Sequence, residues 1–195
     1  MIGLDLGLTN DRAVAAVCHA EQQTGTDLSP WQTVEGAATA KPEVRSSTRV
    51  VLDRMEVWAG SRANPVRLET VEAWVIEAHR AYGGAPIVYD PFQAVGMAQR
   101  LDRRGIRTEA FTFSSASVGR LASTLYRLLR DHQLALPDDP ELLDELANVR
   151  LRETSPGVYR MDHDPDKHDD RAIGLALAAH RLLEAPERSR RVVAW

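Results

Sequence analysis

The chain has 195 residues, which suits one well-packed domain and is short for two. No apolar run approaches the roughly 20 residues of a membrane span, and the opening segment, MIGLDLGLTN, lacks the features of a secretion signal. Cys18 is the only cysteine, so an internal disulfide is excluded, and a buried thiol in a reducing, cytoplasmic setting is expected. The net charge of -4 does not by itself suggest a nucleic-acid binder.

The first part of the chain predicts three strands. Residues 2–7 alternate between large apolar side chains and glycine or aspartate, as a half-buried strand does. A short polar turn leads to residues 12–19, which are apolar enough for a buried strand that pairs with the first as a hairpin. Residues 21–47 show little periodicity, and part of this stretch is predicted to be a mobile loop; residues 50–58 predict the third strand.

Helices and short strands then alternate. A helix begins near residue 68 and is stopped by Gly83-Gly84, and a short strand begins near residue 86. A second helix begins at Pro91 and stops before Gly105, and another strand begins near residue 106. The remaining elements are an amphipathic helix, a short acidic helix, a hairpin around Ser155-Pro156-Gly157 and a final helix, at about residues 117–132, 137–148, 149–161 and 169–184.

This order predicts an α/β fold. Three antiparallel strands are followed by two strands that come after helical crossovers and are therefore parallel to the first. We expect a five-stranded mixed sheet with helices on both faces and an extra β-hairpin. The domain should cover residues 1–185, and residues 186–195, which are rich in arginine, should form a flexible tail.

Four carboxylates are candidates for chemistry, and each has an ordinary alternative. Asp5 lies within an apolar strand between two glycines that leave room for a ligand, but a solvent-facing side chain is also possible. Asp90 follows a buried strand and precedes Pro91, which is also the pattern of a helix N-cap. Asp169 and Asp170 open the last helix, where the helix dipole favours carboxylates regardless of function.

The combination of these carboxylates predicts a metal site. If the first strand is central, the strand before Asp90 lies beside it, and both Asp5 and Asp90 project near the same strand ends. Asp169 or Asp170 can complete the cluster, and helical spacing does not choose between them; Asp169 is the preferred ligand, with Asp170 as a fourth ligand or a supporting group. Close carboxylates repel one another without a counter-charge. Oxygen ligands suit Mg²⁺ or Mn²⁺, and two such ions about 4 Å apart support phosphodiester cleavage.

Basic residues near these carboxylates are candidates for DNA contact. Lys41 and Lys167 are the only lysines among 24 basic residues, so arginine dominates. This side chain suits phosphate, although the codon usage of a GC-rich genome is the favoured explanation of the bias. Three arginines fall on the polar side of the predicted hairpin and are candidate phosphate contacts or an ordinary solvated face: Arg150, Arg152 and Arg160. Of the two nearby histidines, His168 is a better candidate metal contact than His163 because it adjoins the carboxylate pair.

Several motifs together resemble the C-terminal nuclease domain of the large terminase subunit of tailed bacteriophages. They are GLDLG with Asp5, VYDP with Asp90, and HDDRAIGLALAAH with Asp169 and Asp170. The segment ELANVRLRETSPGVYRMDHDPDKHDD is also similar to that family in its order of a short helix, a hairpin and the HDD triplet. The resemblance covers nearly the whole chain, and HDD followed by an alanine-rich helix is its most characteristic element.

The resemblance implies an RNase H-like fold and a two-metal endonuclease that cuts concatemeric viral DNA during packaging in the host cytoplasm. Asp5, Asp90, Asp169 and Asp170 would be its catalytic and metal-binding residues. The implied partners are double-stranded DNA and, in a full-length terminase, an ATPase domain, the small terminase subunit and the portal, with no membrane. The chain has no GxxxxGK[ST] phosphate loop, so we expect an excised domain or a stand-alone relative that cannot drive translocation.

Three other functions remain open at this point. A Holliday-junction resolvase would use the same scaffold and would prefer branched DNA. A sugar-kinase or actin-like ATPase is suggested by DLGLTN, but such proteins need a second domain and a second Gly-rich nucleotide motif. A DNA-binding or portal-docking module without activity would use the carboxylates only structurally.

Overall fold

The computed structural model describes residues 1–8, 12–27, 43–155, 158–162 and 168–184. Six strands form the main sheet: β1 (Ile2–Asp5), β2 (Arg12–Asp27), β3 (Glu43–Ala59), β4 (Ile87–Tyr89), β5 (Thr108–Ala110) and β6 (Leu134–Ala135). Five helices accompany them: α1 (Leu68–Ala81), α2 (Pro91–Arg103), α3 (Ser115–Arg130), α4 (Pro140–Asn148) and α5 (Asp170–Glu184). A separate hairpin consists of β7 (Arg150–Ser155) and β8 (Val158–Asp162).

The main sheet has the strand order β5-β4-β1-β2-β3-β6. Strands β1, β2 and β3 pair antiparallel, while β4 is parallel to β1 and β5 is parallel to β4. This arrangement confirms the predicted mixed sheet of three antiparallel and two parallel strands, and it makes β1 central. The predicted count of five strands was low by one, because the two residues of β6 pair parallel with Val50 and Val51.

Helices cover both faces of the sheet, as predicted. Ile2, Leu4 and Leu6 of the first strand region pack with α1 and α2 on one face. On the other face, Ala16 and Cys18 of β2 pack with α3, α4 and α5. Cys18 is the small buried side chain that was expected, and burial raises its thiol pKa to about 12. In the part of the chain that the structure describes, no helix has the length and apolar character needed to cross a membrane.

The β2–β3 hairpin is much longer than the sequence predicted. The strands were predicted to end near residue 19 and to begin again at residue 50, but residues 21–27 and 43–47 continue them; Gln23, for example, pairs with Ser47. Most of this extension pairs only within the hairpin, so it lacks the alternation that a buried face imposes. Residues 28–42 and the predicted tail, 186–195, lie outside the described residues.

Helix α5 lies directly against the central strands because two glycines allow it. A Cβ on Gly3 would stand 2.3 Å from the carbonyl oxygen of Gly174 and 2.6 Å from the backbone nitrogen of Ala178. A Cβ on Gly174 would stand 3.0 Å from Cγ1 of Val14 in β2. The prediction that the glycine before Asp5 leaves room for a ligand was therefore wrong at Gly3, since the α5 backbone fills that space.

Candidate active site

Two acidic residues lie at the carboxyl ends of neighbouring parallel strands. Asp5 ends β1 and Asp90 directly follows β4, and the pairing of Leu4 with Tyr89 brings these ends side by side. The backbone nitrogen of Asp90 donates to the carbonyl oxygen of Leu4 at 3.3 Å. Side chains alternate along a strand, so Asp5 points to the same face as Gly3, which is the face that α5 covers.

The first turn of α5 lies over the same end of the sheet. Asp170 begins the helix, and its buried carboxylate accepts a hydrogen bond from the backbone nitrogen of Arg12 at 3.4 Å. Arg12 begins β2, two residues before Val14, which is the cross-strand partner of Asp5. The structure thus brings Asp5, Asp90 and the start of α5 to the same end of the main sheet.

Asp169 and Asp170 have different surroundings. The carbonyl oxygen of Asp169 accepts a hydrogen bond from the Ile173 nitrogen at 2.8 Å, and its side chain is half-buried. Asp170 is 7% exposed, faces β2 and has the Nδ1 atom of His168 at 3.5 Å from its Oδ2. His168 therefore adjoins the carboxylate pair, whereas His163 lies outside the described residues.

Asp90 also performs the alternative role that its sequence indicated. Its Oδ1 accepts a hydrogen bond from the backbone nitrogen of Phe92 at 3.0 Å, and so it caps α2. Capping uses one oxygen of a carboxylate that has two, so the cap is compatible with a further ligand on the other oxygen.

The donor set suits a hard divalent cation, but it is not assembled into a closed cage. Asp5, Asp90, Asp169 and Asp170 offer only oxygen, which is the ligand that Mg²⁺ and Mn²⁺ prefer. Within the described ranges, no group of three or more His, Cys, Asp or Glu side chains stands ready to hold a metal ion.

A buried ionic network beside Asp170 was missed by the sequence analysis. Glu145 of α4, which is 5% exposed, accepts a hydrogen bond from the Arg171 backbone nitrogen at 2.9 Å through Oε2. Its Oε1 accepts from Nη1 of Arg12 at 3.2 Å. The Arg171 guanidinium binds two further carboxylates at the start of α4, Asp139 at 3.3 Å and Glu141. Burial raises the pKa of Glu145, and the hydrogen bond from the Arg171 backbone opposes that rise.

A local signal for this network existed in the sequence. Arg171 directly follows the Asp169-Asp170 pair, and an arginine within a buried alanine-rich helix needs a partner. The acidic residues Glu141 and Glu145 are spaced by one helical turn, so α4 can present both to the same cation. Only the fold shows that α4 lies against α5.

The predicted DNA-contacting arginines of the hairpin are solvent-accessible where the structure describes them. Arg150 and Arg152 of β7 are exposed, and the backbone register pairs Arg152 with Arg160 of β8. Strand β8 lies alongside α3. A second arginine group lies on α2 and just after it, at Arg100, Arg103, Arg104 and Arg107; Arg100 and Arg104 approach the buried carboxylate of Glu72 at 2.7 and 4.0 Å.

A cleft of about 810 Å³ lies away from the acidic residues, between α3 and the carboxyl-terminal part of α5. Arg120, Arg127 and Glu184 line it together with His180, which is ten residues, or roughly 15 Å, along α5 from Asp170. His180 is buried, its Nδ1 lies 3.0 Å from the Thr124 hydroxyl, and burial lowers its pKa. This distance separates the cleft from the candidate site.

The strand order and the acidic residues at the ends of β1 and β4 and the start of α5 define an RNase H-like fold. None of the protein-family models compared with the chain matches it. The large terminase subunit of Thermus phage G20c is 39% identical over 100 residues, which are 50% of this chain and 20% of that protein. The chain thus matches about a fifth of the length of this curated relative.

Solved structures extend the match over most of the chain. The large terminase nuclease of phage G20c superposes with a TM-score of 0.63 and 25% identity, covering 91% of this chain and 78% of that one. A second structure of that nuclease, with bound magnesium, has a TM-score of 0.63, 24% identity, and coverage of 92% and 79%. The manganese-bound nuclease domain of phage SPP1 shares the fold at a TM-score of 0.53, 18% identity, and coverage of 92% and 84%. The chain is thus similar in sequence and in fold to large terminase nuclease domains, the family that its motifs resemble.

Proposed function

We propose that this chain is a divalent-metal-dependent endonuclease that cuts double-stranded DNA by two-metal phosphodiester hydrolysis. The observation that carries the proposal is that Asp5, Asp90 and the first turn of α5 lie at the same end of the main sheet. The magnesium-bound and manganese-bound relatives support a divalent cation as the cofactor of this fold.

Asp5, Asp90 and the Asp169-Asp170 pair would hold the two ions. When bound, such ions activate a water molecule and stabilise the leaving oxygen. The chain's own contribution is to carry these carboxylates on separate rigid elements, which hold them near one another although their like charges repel. The backbone nitrogen of Arg12 fixes one oxygen of Asp170, and His168 borders the same oxygen. Asp90 remains anchored through its cap on α2.

The biological setting is inferred from the similarity to large terminases. The chain would cleave concatemeric viral DNA during genome packaging in the host cytoplasm. In a full-length terminase it would work with an ATPase domain, the small terminase subunit and the portal. The hairpin arginines, Arg150, Arg152 and Arg160, would contact DNA phosphates next to the site.

The test is cleavage of supercoiled plasmid DNA by the purified chain in Mg²⁺, in Mn²⁺ and in excess chelator. We expect nicked and then linear DNA with either metal and none with chelator. An Asp5→Asn protein purified in parallel controls for contaminating nucleases. Activity that persists in chelator, or that is absent with both metals, would contradict the proposal. Adding a four-way junction separates the two nuclease functions, because a resolvase would prefer it to linear duplex.

A further inference from the structure

Glu145 uses both of its carboxylate oxygens to hold structures that carry or touch Asp170. Oε2 accepts from the backbone nitrogen of Arg171, the residue next to Asp170. Oε1 accepts from the guanidinium of Arg12, whose backbone nitrogen donates to Asp170 Oδ2. Two separate routes, one through the α5 backbone and one through β2, therefore join Glu145 to the Asp170 carboxylate.

These contacts hold the first turn of α5, which begins with Asp170. The first backbone N–H groups of a helix have no partner within the helix, so the bond from Glu145 caps α5 from a different helix. The side chains of Glu145 and Arg171 are only 6% and 10% exposed, so they have little solvent to replace lost partners. The start of α5 is thereby fixed relative to β2, where a metal-binding carboxylate must be held still.

We infer that Glu145 is a positioning residue for metal binding, acting on Asp170 through Arg12 and the first turn of α5. This inference rests on the proposed function, since Asp170 matters here as a ligand. Glu145 need not touch the ion. Residues that orient metal ligands commonly change metal affinity or activity by about 10-fold to 100-fold when they are altered.

The variant Glu145→Gln tests the inference because it keeps the side-chain shape and one acceptor oxygen but removes the charge that binds Arg12. The matched control is Glu141→Gln, the same substitution on the same helix at a residue that also binds Arg171. Glu141 is exposed, and within the described residues its carboxylate contacts the Arg171 guanidinium but neither Arg12 nor the α5 backbone. Mn²⁺ affinity by calorimetry, the Mn²⁺ dependence of plasmid cleavage, and melting temperature without metal are measured for each.

We expect Glu145→Gln to weaken Mn²⁺ binding about tenfold and to raise the Mn²⁺ concentration for half-maximal cleavage by a similar factor. Cleavage at saturating Mn²⁺ should recover most of the wild-type rate, and Glu141→Gln should resemble the wild type. A lower melting temperature with unchanged Mn²⁺ affinity would overturn the inference, because it would mark Glu145 as purely structural.

A second variant covers the case in which Glu145→Gln does not fold. Arg12→Gln breaks the same link from a side chain that is 29% exposed and keeps the backbone donor to Asp170. It should weaken Mn²⁺ binding in the same direction, and an unchanged affinity would overturn the inference. The double variant should lose less Mn²⁺ binding free energy than the sum of the losses in the two single variants, since both substitutions remove the same contact between Glu145 and Arg12. A wild type that binds no Mn²⁺ would refute the proposed function itself; a wild type that binds and cuts beside an unaffected Glu145→Gln refutes only the positioning role.

Discussion

The close contact between β1 and α5 makes Gly3 the position where the smallest change should have the largest effect. In Gly3→Ala, the added Cβ would lie 2.3 Å from the Gly174 carbonyl oxygen and 2.6 Å from the Ala178 nitrogen. Both neighbours are backbone atoms of α5, so no side-chain rotation can relieve the overlap. The helix or the strand must move, and either movement shifts Asp170 relative to Asp5.

The size of the effect follows from the cost of overpacking a core. Extra carbon atoms in a packed interior cost about 1–3 kcal/mol, and a backbone clash belongs at the upper end of that range. We therefore expect Gly3→Ala to lower the free energy of unfolding by about 3 kcal/mol. For a domain of this size, each kcal/mol corresponds to a melting-temperature change of about 2–4 °C, so melting should fall by roughly 6–12 °C.

The matched control is Gly96→Ala in α2. There the added Cβ would meet only the Arg100 guanidinium, at 3.8 Å, and the position is exposed. Alanine in place of glycine within a helix should stabilise by about 0.5–1 kcal/mol. Thermal denaturation of both variants and of the wild type measures the contrast. A Gly3→Ala protein that melts at or above the wild-type temperature would refute the packing of α5 on β1.

Three further predictions concern the site and the helices around it. Asp5→Asn should abolish metal-dependent plasmid cleavage and reduce the rise in melting temperature that Mn²⁺ causes, while the melting temperature without metal should not fall. Undiminished cleavage would exclude Asp5 as a metal ligand. Replacing the three hairpin arginines, Arg150, Arg152 and Arg160, by alanine should weaken DNA binding and flatten its salt dependence, with Mn²⁺ affinity unchanged. A salt dependence equal to that of the wild type would exclude the hairpin as the DNA-contact surface. Burial lowers the pKa of His180 in the folded state, so the unfolded state binds a proton on this side chain first as the pH falls below about 6.5, and the free energy of unfolding should decrease there. His180→Gln should therefore show a smaller drop in melting temperature between about pH 7 and 5 than the wild type. An equal drop would assign the pH dependence to other groups.

The elements with a strong periodic pattern could be predicted from the sequence. Helix α2 begins at Pro91 and ends just before Gly105, where a positive φ of 76° suits glycine. The extension of β2 and β3 was missed because its mostly polar sequence lacks the alternation of apolar and polar residues that indicates a strand, although the two segments pair with each other. Strand β6 has two residues, which is too short for any periodic signal.

The candidate site could be predicted only in part, for a different reason. Asp5 and Asp90 directly follow apolar strand segments, so their meeting follows once β1 and β4 are neighbours. The link from Glu145 to Arg12 joins residues 133 positions apart, and no local pattern specifies such a contact. The role of Gly3 was misread because the sequence shows that a side chain is missing but not which element fills the space.

The most direct test of the central claim is a crystal structure with bound Mn²⁺, located by its anomalous scattering. The account predicts two manganese ions held by Asp5, Asp90 and the Asp169-Asp170 pair, at the end of the sheet where β1, β4 and the start of α5 meet. Manganese bound elsewhere with these carboxylates left without an ion, or no bound manganese at concentrations that support cleavage, would contradict it.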